Sequence, residues 1–210
     1  MNQRTDNNLA EHQLLSSAMT LFLKYGVKSV SMDDIAGLLG ISKKTIYTHI
    51  PNKKALVKAA VKRFIKQEHT IIEQITANSI NAIDEMVLMA RQALKTIRNM
   101  KPTLTYDLQK YHPDTWKYIE EKHLKRLQNI ITQNIERGKE EGHYRTELNS
   151  VIIGKLYLGL ARTISTDEDL NIDEYNLKEY YRVMILYHLH GIINVKGKKE
   201  LTKYLKNETI

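Results

Sequence analysis

Apolar residues recur along the chain at intervals of three and four and do not alternate, which predicts an all-α protein with no strand segment. The first stripe runs through Leu14, Leu15, Ala18, Leu21, Phe22 and Tyr25, a helix over residues 9–25 that Gly26 stops. Ser31-Met32-Asp33-Asp34 opens a short second helix. The serine hydroxyl can cap it, and Asp34 stands where a capping box needs its returning acceptor. That helix ends at Gly40. Ser42 then caps a third short helix over residues 43–49, and Pro51-Asn52 closes it and starts a fourth over residues 53–77. The same periodicity places further helices at 80–99, 103–111, 113–141, 149–164 and 175–193, and a terminal segment at 198–206. The acidic stretch 167–174 reads as a solvated connection.

Residues 31–50 are a small machine of known physics. Two capped helices meet at Gly40-Ile41, where glycine permits a sharp turn and isoleucine can plug the angle, so the pair is a helix-turn-helix. Ile35, Ala36, Leu39, Ile41, Ile46 and Ile50 are its expected core. Lys43, Lys44, Thr45, Tyr47, Thr48 and His49 are left on or beside the open face of the second helix. Such a donor-rich helix fits the DNA major groove, whose base edges carry a readable donor and acceptor pattern.

Charge sharpens this picture. The chain carries +8, and residues 1–64 hold ten lysines and arginines against four acidic residues, so most of the positive field sits on one small segment. Lysine and arginine displace the counterions around phosphates, which makes a polyanion the natural partner. Residues 1–52 are therefore expected to be the DNA-binding domain and 53–210 a larger helical domain. The chain has no cysteine, which excludes disulfides, thiolate metal sites and cysteine nucleophiles. The most apolar run, 151–161, is interrupted by Lys155, and residues 1–8 are polar, so neither a membrane span nor a secretory signal is expected and the protein reads as cytoplasmic.

The run SMDDIAGLLGISKKTIYTHIPNKKAL at residues 31–56 resembles the DNA-binding domain of the TetR/AcrR family of bacterial regulators. Ala18, Phe22, Gly26 and Val30 match the same family's first helix and following turn. The string Tyr47-x-His49-x-Pro51-x-Lys53 is its most specific part, and the patch from Gly138 to Arg145 is similar to the family's turn after its long seventh helix. The resemblance implies an Ω-shaped homodimer, one recognition helix per operator half-site, and a pocket in the larger domain whose small-molecule occupant moves the DNA heads apart. It implies DNA contacts from Lys43, Lys44, Thr45, Tyr47, Thr48 and His49. Tyr47, His49 and Lys53 would mostly meet phosphates, and Ser31 would touch the backbone from the start of the second helix. Two positions depart from the family pattern: Lys44 replaces a small residue, and Ile50 replaces the common phenylalanine.

In the larger domain, helices 149–164 and 175–193 are apolar on more than one face and so must be covered on more than one face. Leu156, Tyr157, Leu160 and Ala161 form one side of the first and Val151, Ile152 and Leu158 another. In the second, Val183, Leu186, Tyr187 and Ile193 join an inward set that includes Tyr181, Met184, Ile185 and His188. The pair is expected to form a two-fold interface, with Val151, Leu158, Val183, Leu186, Tyr187 and Ile193 meeting a second copy. Met86, Met89, Tyr106, Trp116, His123 and Tyr157 are the candidates for lining an effector pocket, methionine being adaptable and aromatics offering flat apolar area with polar tips.

No cofactor, metal or catalytic constellation is expected. Gly154-Lys155 lacks the rest of a phosphate loop, and Asp167, Asp169 and Asn171 begin like a calcium loop that Ile172 and Lys178 spoil. The function that follows is a DNA-binding repressor released by a small molecule. Its alternatives are an activator or partner-controlled regulator with the same head, or a helical adaptor whose basic face meets an acidic protein.

Overall fold

A computed structural model of the chain describes residues 3–101, 103–166 and 174–206. These form eleven α-helices: α1 Gln3–Tyr25, α2 Met32–Leu39, α3 Lys43–His49, α4 Lys53–Asn78, α5 Ala82–Arg98, α6 Thr103–Tyr111, α7 Pro113–Tyr118, α8 Lys125–Glu140, α9 Ser150–Thr166, α10 Glu174–Ile192 and α11 Val195–Lys206. The all-α expectation holds. The nearest thing to a strand among the described residues is an isolated antiparallel bridge between Tyr144 and Ile193. The helix expected over 113–141 is interrupted by one wide π turn, Ile119–Leu124, between α7 and α8. Residues 167–173, which hold all but the last residue of the acidic connection and the start of the calcium-like run, lie outside the described residues, while Glu174 and Lys178 fall in α10. No described helix is long and apolar enough to cross a membrane.

Packing divides the chain elsewhere than after residue 52. One compact unit takes residues up to Thr70 together with Asn99–Ile119, and the other takes Ile71–Arg98 together with everything from Glu120. The physical reason is that α1 to α3 cannot close a core alone. Phe22, Ile35, Ile46 and Ile50 are buried with Leu56, Val57, Ala60, Val61 and Ile65 from α4 and with Leu104 and Leu108 from α6. Burying those aliphatic side chains stabilises the unit by roughly 1.5–3 kcal/mol each before entropy is counted.

Within this first unit α6 is fastened to the turn after α1. The Asp107 carboxylate, only 6% exposed, accepts the Lys28 backbone N–H at 2.7 Å, and the Leu23 carbonyl accepts the Lys101 N–H at 2.8 Å. Gly26 makes that turn at φ 81°, and a side chain there would press on Asp107 and Thr103. Both conditions leave glycine as the residue that fits.

The second unit has its own core of Ile83, Met86, Val87, Ile131, Ile135, Ile185 and Leu189, with Tyr144 fully buried. A charged group sits inside it. Glu85, 2% exposed, accepts from Arg137 Nη1 at 3.1 Å, Asn134 Nδ2 at 3.1 Å and Thr76 Oγ1 at 2.9 Å. Arg137 also donates to Glu141 Oε1 at 2.7 Å and to the Ser79 carbonyl at 3.0 Å, while Glu141 Oε2 accepts the Ala82 N–H at 2.8 Å. A buried carboxylate is tolerated only when paired and hydrogen-bonded this fully, and breaking such a pair costs several kcal/mol. The turn after α8 closes on this network: the Tyr144 ring lies directly on Gly138, where any Cβ would strike it, and its hydroxyl donates to the Ala82 carbonyl at 3.1 Å.

Candidate nucleic-acid interface

The local chemistry of α2 and α3 is what the sequence requires. The Ser31 backbone is extended, at φ −92° and ψ 167°, and its hydroxyl oxygen accepts the Asp34 N–H at 3.1 Å. The Asp34 carboxylate accepts the Ser31 N–H and O–H, each at 2.7 Å. Those bonds to the charged form hold the Asp34 carboxyl below its ordinary pKa. Gly40 adopts the left-handed region at φ 64°, and the Ile41 N–H reaches back to the Ala36 carbonyl at 3.1 Å, so the chain turns at the position glycine makes cheap. Ser42 caps α3 through the Thr45 N–H at 3.0 Å, and Asn52 caps α4 through the Ala55 N–H at 2.9 Å.

Ile46 and Ile50 anchor α3 inward at 0% and 5% exposure, while Lys43, Lys44, Thr45, Tyr47 and Thr48 are exposed and His49 is half-buried. One core expectation needs correction. Ile41 is 37% exposed, with Met32, Val27 and Val30 buried in the cluster around Ile35 and Ala36 in its place, whereas Leu39 is half-buried and packs against that core.

The six α3 side chains are not equivalent. Lys43 Nζ donates to Asp33 at 2.9 Å, and that hydrogen bond lifts the ammonium pKa above its usual range. The hydroxyls of Ser42 and Thr45 share a hydrogen bond at 2.8 Å, and Thr48 donates to the Thr45 carbonyl at 2.7 Å. Lys44 and Tyr47 have no hydrogen-bond partner among the described residues and reach outward, Tyr47 being 44% exposed. The sequence treats all six as one donor-rich set. It gives no sign of the Asp33 contact, since an acidic residue in a helix's first turn reads as complementing the helix dipole.

Lys53 opens α4 half-buried; burial pulls its pKa down, against the carboxylates of Asp107 and Asp34. Nearby, His112 is held below the ordinary histidine pKa by burial and by the charges of Lys53 and Lys54. Lys54 pairs with Asp114 at 3.1 Å on the surface. Sequence reasoning passes over a second basic area of this unit. Lys110 Nζ donates to the Tyr106 hydroxyl at 2.6 Å and lies over the Tyr106 and Tyr111 rings, and Lys28 also lies over Tyr111.

The candidates for an effector pocket are divided between the two units. Tyr106 is a correction: it is 46% exposed on the outer face of α6, because Leu104 and Leu108 take the inner face. Trp116 packs at the edge of the first unit's core. Met86, Met89 and Tyr157 are buried in the second unit's core, and His123 lies half-buried in its π turn. Among the described residues no group of three or more histidine, cysteine, aspartate or glutamate side chains could hold a metal ion.

The apolar faces of α9 and α10 are left open in a single chain. Val151, Ile152, Leu156 and Leu160 are 42–59% exposed on α9, and Val183 and Tyr187 are 54% and 72% exposed on α10. Leu158 and Leu186 are half-buried. Ile193, by contrast, is 8% exposed, within the core beside its bridge to Tyr144. Leu156 and Leu160 share a side with Tyr157 and Ala161 in the sequence pattern, yet they stand exposed while Tyr157 and Ala161 pack against the core.

Residues 14–60, which hold α2, α3 and most of the core around them, match the family described as bacterial regulatory proteins, tetR family. The uncharacterized HTH-type transcriptional regulator YvaF of Bacillus subtilis is 28% identical over 162 residues, covering 75% of this chain and 82% of that protein. Among solved structures, a TetR-family transcriptional regulator from Agrobacterium tumefaciens superposes with a TM-score of 0.74 at 18% identity, over 90% of this chain and 100% of its own. A regulator from Saccharomonospora viridis in complex with choline gives 0.72 at 18% identity, over 89% and 99%. With the capped α2–turn–α3 unit presenting Lys44 and Tyr47, these likenesses give residues 14–60 a tetR-family helix-turn-helix and make the chain similar in sequence to HTH-type transcriptional regulators and in fold to solved TetR-family regulators.

Proposed function

We propose that the protein is a cytoplasmic homodimeric repressor that occludes a promoter by binding a palindromic double-stranded operator and lets go when a small molecule occupies the second unit. The observation that carries this reading is the outward face of α3: Ile46 locks the helix into the core while Lys44 and Tyr47 stand exposed and unpaired. In this reading Lys44 and Thr45 meet base edges, and Tyr47, His49, Lys53 and Ser31 meet phosphates. Lys43 and Thr48 add contacts once they leave their intramolecular partners. Two copies of α3 would enter successive major grooves roughly 34 Å apart. The exposed α9 and α10 faces supply the two-fold contact, through Val151, Val183 and Tyr187 with Leu158 and Leu186 at its margin.

DNA recognition belongs to residues 1–52, and effector binding and dimerisation to 53–210, although the head borrows α4 and α6 for its core. Effector control is supported by the choline held in the S. viridis protein, whose fold this chain shares. An effector shifts occupancy only through its difference in affinity between the two head arrangements.

Selection of bound duplexes from a random pool tests the reading directly. A palindrome should emerge. Lys53→Ala should then weaken every sequence alike and flatten the salt slope by about one unit, whereas Lys44→Ala should change which base is preferred. Equal, weak retention of every duplex overturns it.

A further inference from the structure

Buried polar atoms in folded proteins nearly always have a hydrogen-bond partner, so one without a partner marks a place where something belongs. Two buried side-chain atoms among the described residues have none: His112 Nδ1 and His188 Nε2. Their settings differ. His112 lies in the first unit beside the charges of Lys53 and Lys54. His188 is 7% exposed on the inward face of α10, where Tyr181, Met184, Ile185 and Ile192 are its buried neighbours along the helix. From α9 the Tyr157 ring meets the imidazole at 4.7 Å between centroids, tilted by 59°. Burial alone holds the imidazole at a pKa of about 4, with no charged group contributing, so it is neutral at pH 7.

We infer that His188 and Tyr157 form the polar end of a ligand site within the second unit, and that its occupant is an uncharged, largely apolar molecule whose single hydroxyl or carbonyl group hydrogen-bonds to His188 Nε2. The inference rests on the proposed effector control and gives it a chemical class. A neutral imidazole offers one donor or one acceptor and no charge. With no ion near it, an anionic or cationic head would lose its hydration with nothing to replace it. The apolar body of the molecule has a tilted aromatic ring and thioether chains to meet, Met184 on the same helix face and Met86 and Met89 in the same core. A lone buried water is the rival occupant, and it requires two to four polar partners of its own.

Full-length protein titrated with 1-octanol, octanoate and octylamine compares one apolar body with neutral, anionic and cationic heads. Calorimetry reads affinity, and nitrogen-15 NMR of labelled histidine rings reads the environment of His188 Nε2. Octanol should bind and shift the Nε2 resonance, and at pH 7 the two charged probes should bind at least about ten-fold more weakly. His188→Phe should lose about ten-fold in octanol affinity, the loss expected for one buried hydrogen bond. His188→Gln, which keeps a neutral donor and acceptor, should retain most of the affinity and serves where the phenylalanine variant does not fold.

No octanol binding, equal binding of the charged probes, or an unmoved Nε2 resonance that reports a fixed water overturns the inference. The same sample separates the two readings. Sequence-selective retention of duplex DNA without octanol binding sinks the ligand site alone, and octanol binding without selective retention sinks the operator reading alone.

Discussion

The two units bury similar aliphatic cores yet leave opposite kinds of surface open. The first exposes a short capped helix, α3, lined with Lys43, Lys44, Thr45, Tyr47 and Thr48; the second exposes Val151, Ile152, Leu156, Leu160, Val183 and Tyr187 on α9 and α10. A polar, basic face is comfortable in water and gains a partner through counterion release and groove hydrogen bonds. A contiguous apolar face gains one through area removed from water. On the proposed function, the partner each surface suits follows its chemistry: a nucleic acid for one, a second copy of the chain for the other.

The largest test attacks the apolar face. Placing charge there with Leu156→Asp and Val183→Asp should weaken self-association on the order of a thousand-fold, about 4 kcal/mol, because central interface positions carry most of the binding energy. Sedimentation velocity should find monomer, and retention of a palindromic duplex should fall with it. A double variant that still sediments as dimer removes α9 and α10 from the interface.

Acid comes next, and it separates the units. The folded-state pKa of His188, about 4, lies below the ordinary histidine value of 6.5, so the unfolded chain binds the proton more readily. The contribution of His188 is complete above pH 6.5 and is lost as pH falls toward 4, about 2 kcal/mol of it by pH 5. Glu141 and Glu136 are held below the ordinary carboxylate pKa and act only in a more acidic window. Denaturant titrations followed by circular dichroism should show this loss, and His188→Phe should flatten it. The chain's one tryptophan, Trp116, sits in the first unit, so its fluorescence follows the head separately. His112 gives that unit an acid sensitivity of the same sign.

The units also differ in how far the sequence alone describes them. In the α2–turn–α3 unit, each cap and turn lies within a few residues of its cause: Ser31 with Asp34, Ser42 with Thr45, Asn52 with Ala55, and Gly40 at the turn. Such local rules need no tertiary knowledge, which is why α2, α3 and the start of α4 fall where the pattern puts them. In the second unit the decisive contacts join residues dozens of positions apart. Nothing in periodicity announces that Glu85 is buried, because its partner Arg137 is 52 residues away. Leu156 and Leu160 share a stripe with Tyr157 and Ala161, and only packing decides that the two leucines stay outside. Tyr106 looks like pocket lining until Leu104 and Leu108 claim the inner face of α6. That the packing units do not part after residue 52 has the same origin, since α4 is one continuous helix and its stripe does not reveal which core each turn serves.

A smaller effect probes the head's local rules. Ser31→Ala removes the cap of α2 and should cost about 1 kcal/mol of stability. Thermal unfolding followed by Trp116 fluorescence should register it, while the sedimentation of the dimer stays as it was. A loss of dimer instead would mean that the two surfaces are not independent.

The smallest test concerns Asp33, where the head deviates most from the simple picture of a donor-rich face. In the free protein its carboxylate holds Lys43 Nζ at 2.9 Å, with both side chains largely in solvent. An exposed pair of this kind adds little to folding. On DNA it works against binding twice, by occupying a lysine and by placing a negative charge near phosphates. Asp33→Asn should therefore leave the unfolding temperature almost unchanged and raise affinity for duplex DNA several-fold at low salt. The slope of log affinity against log salt should steepen by about one unit as Lys43 becomes an additional phosphate contact. The gain should be similar for all sequences. If Asp33→Asn instead changes which operator is preferred, Lys43 reads a base edge, and the line drawn between base-reading Lys44 and phosphate-binding neighbours has to move.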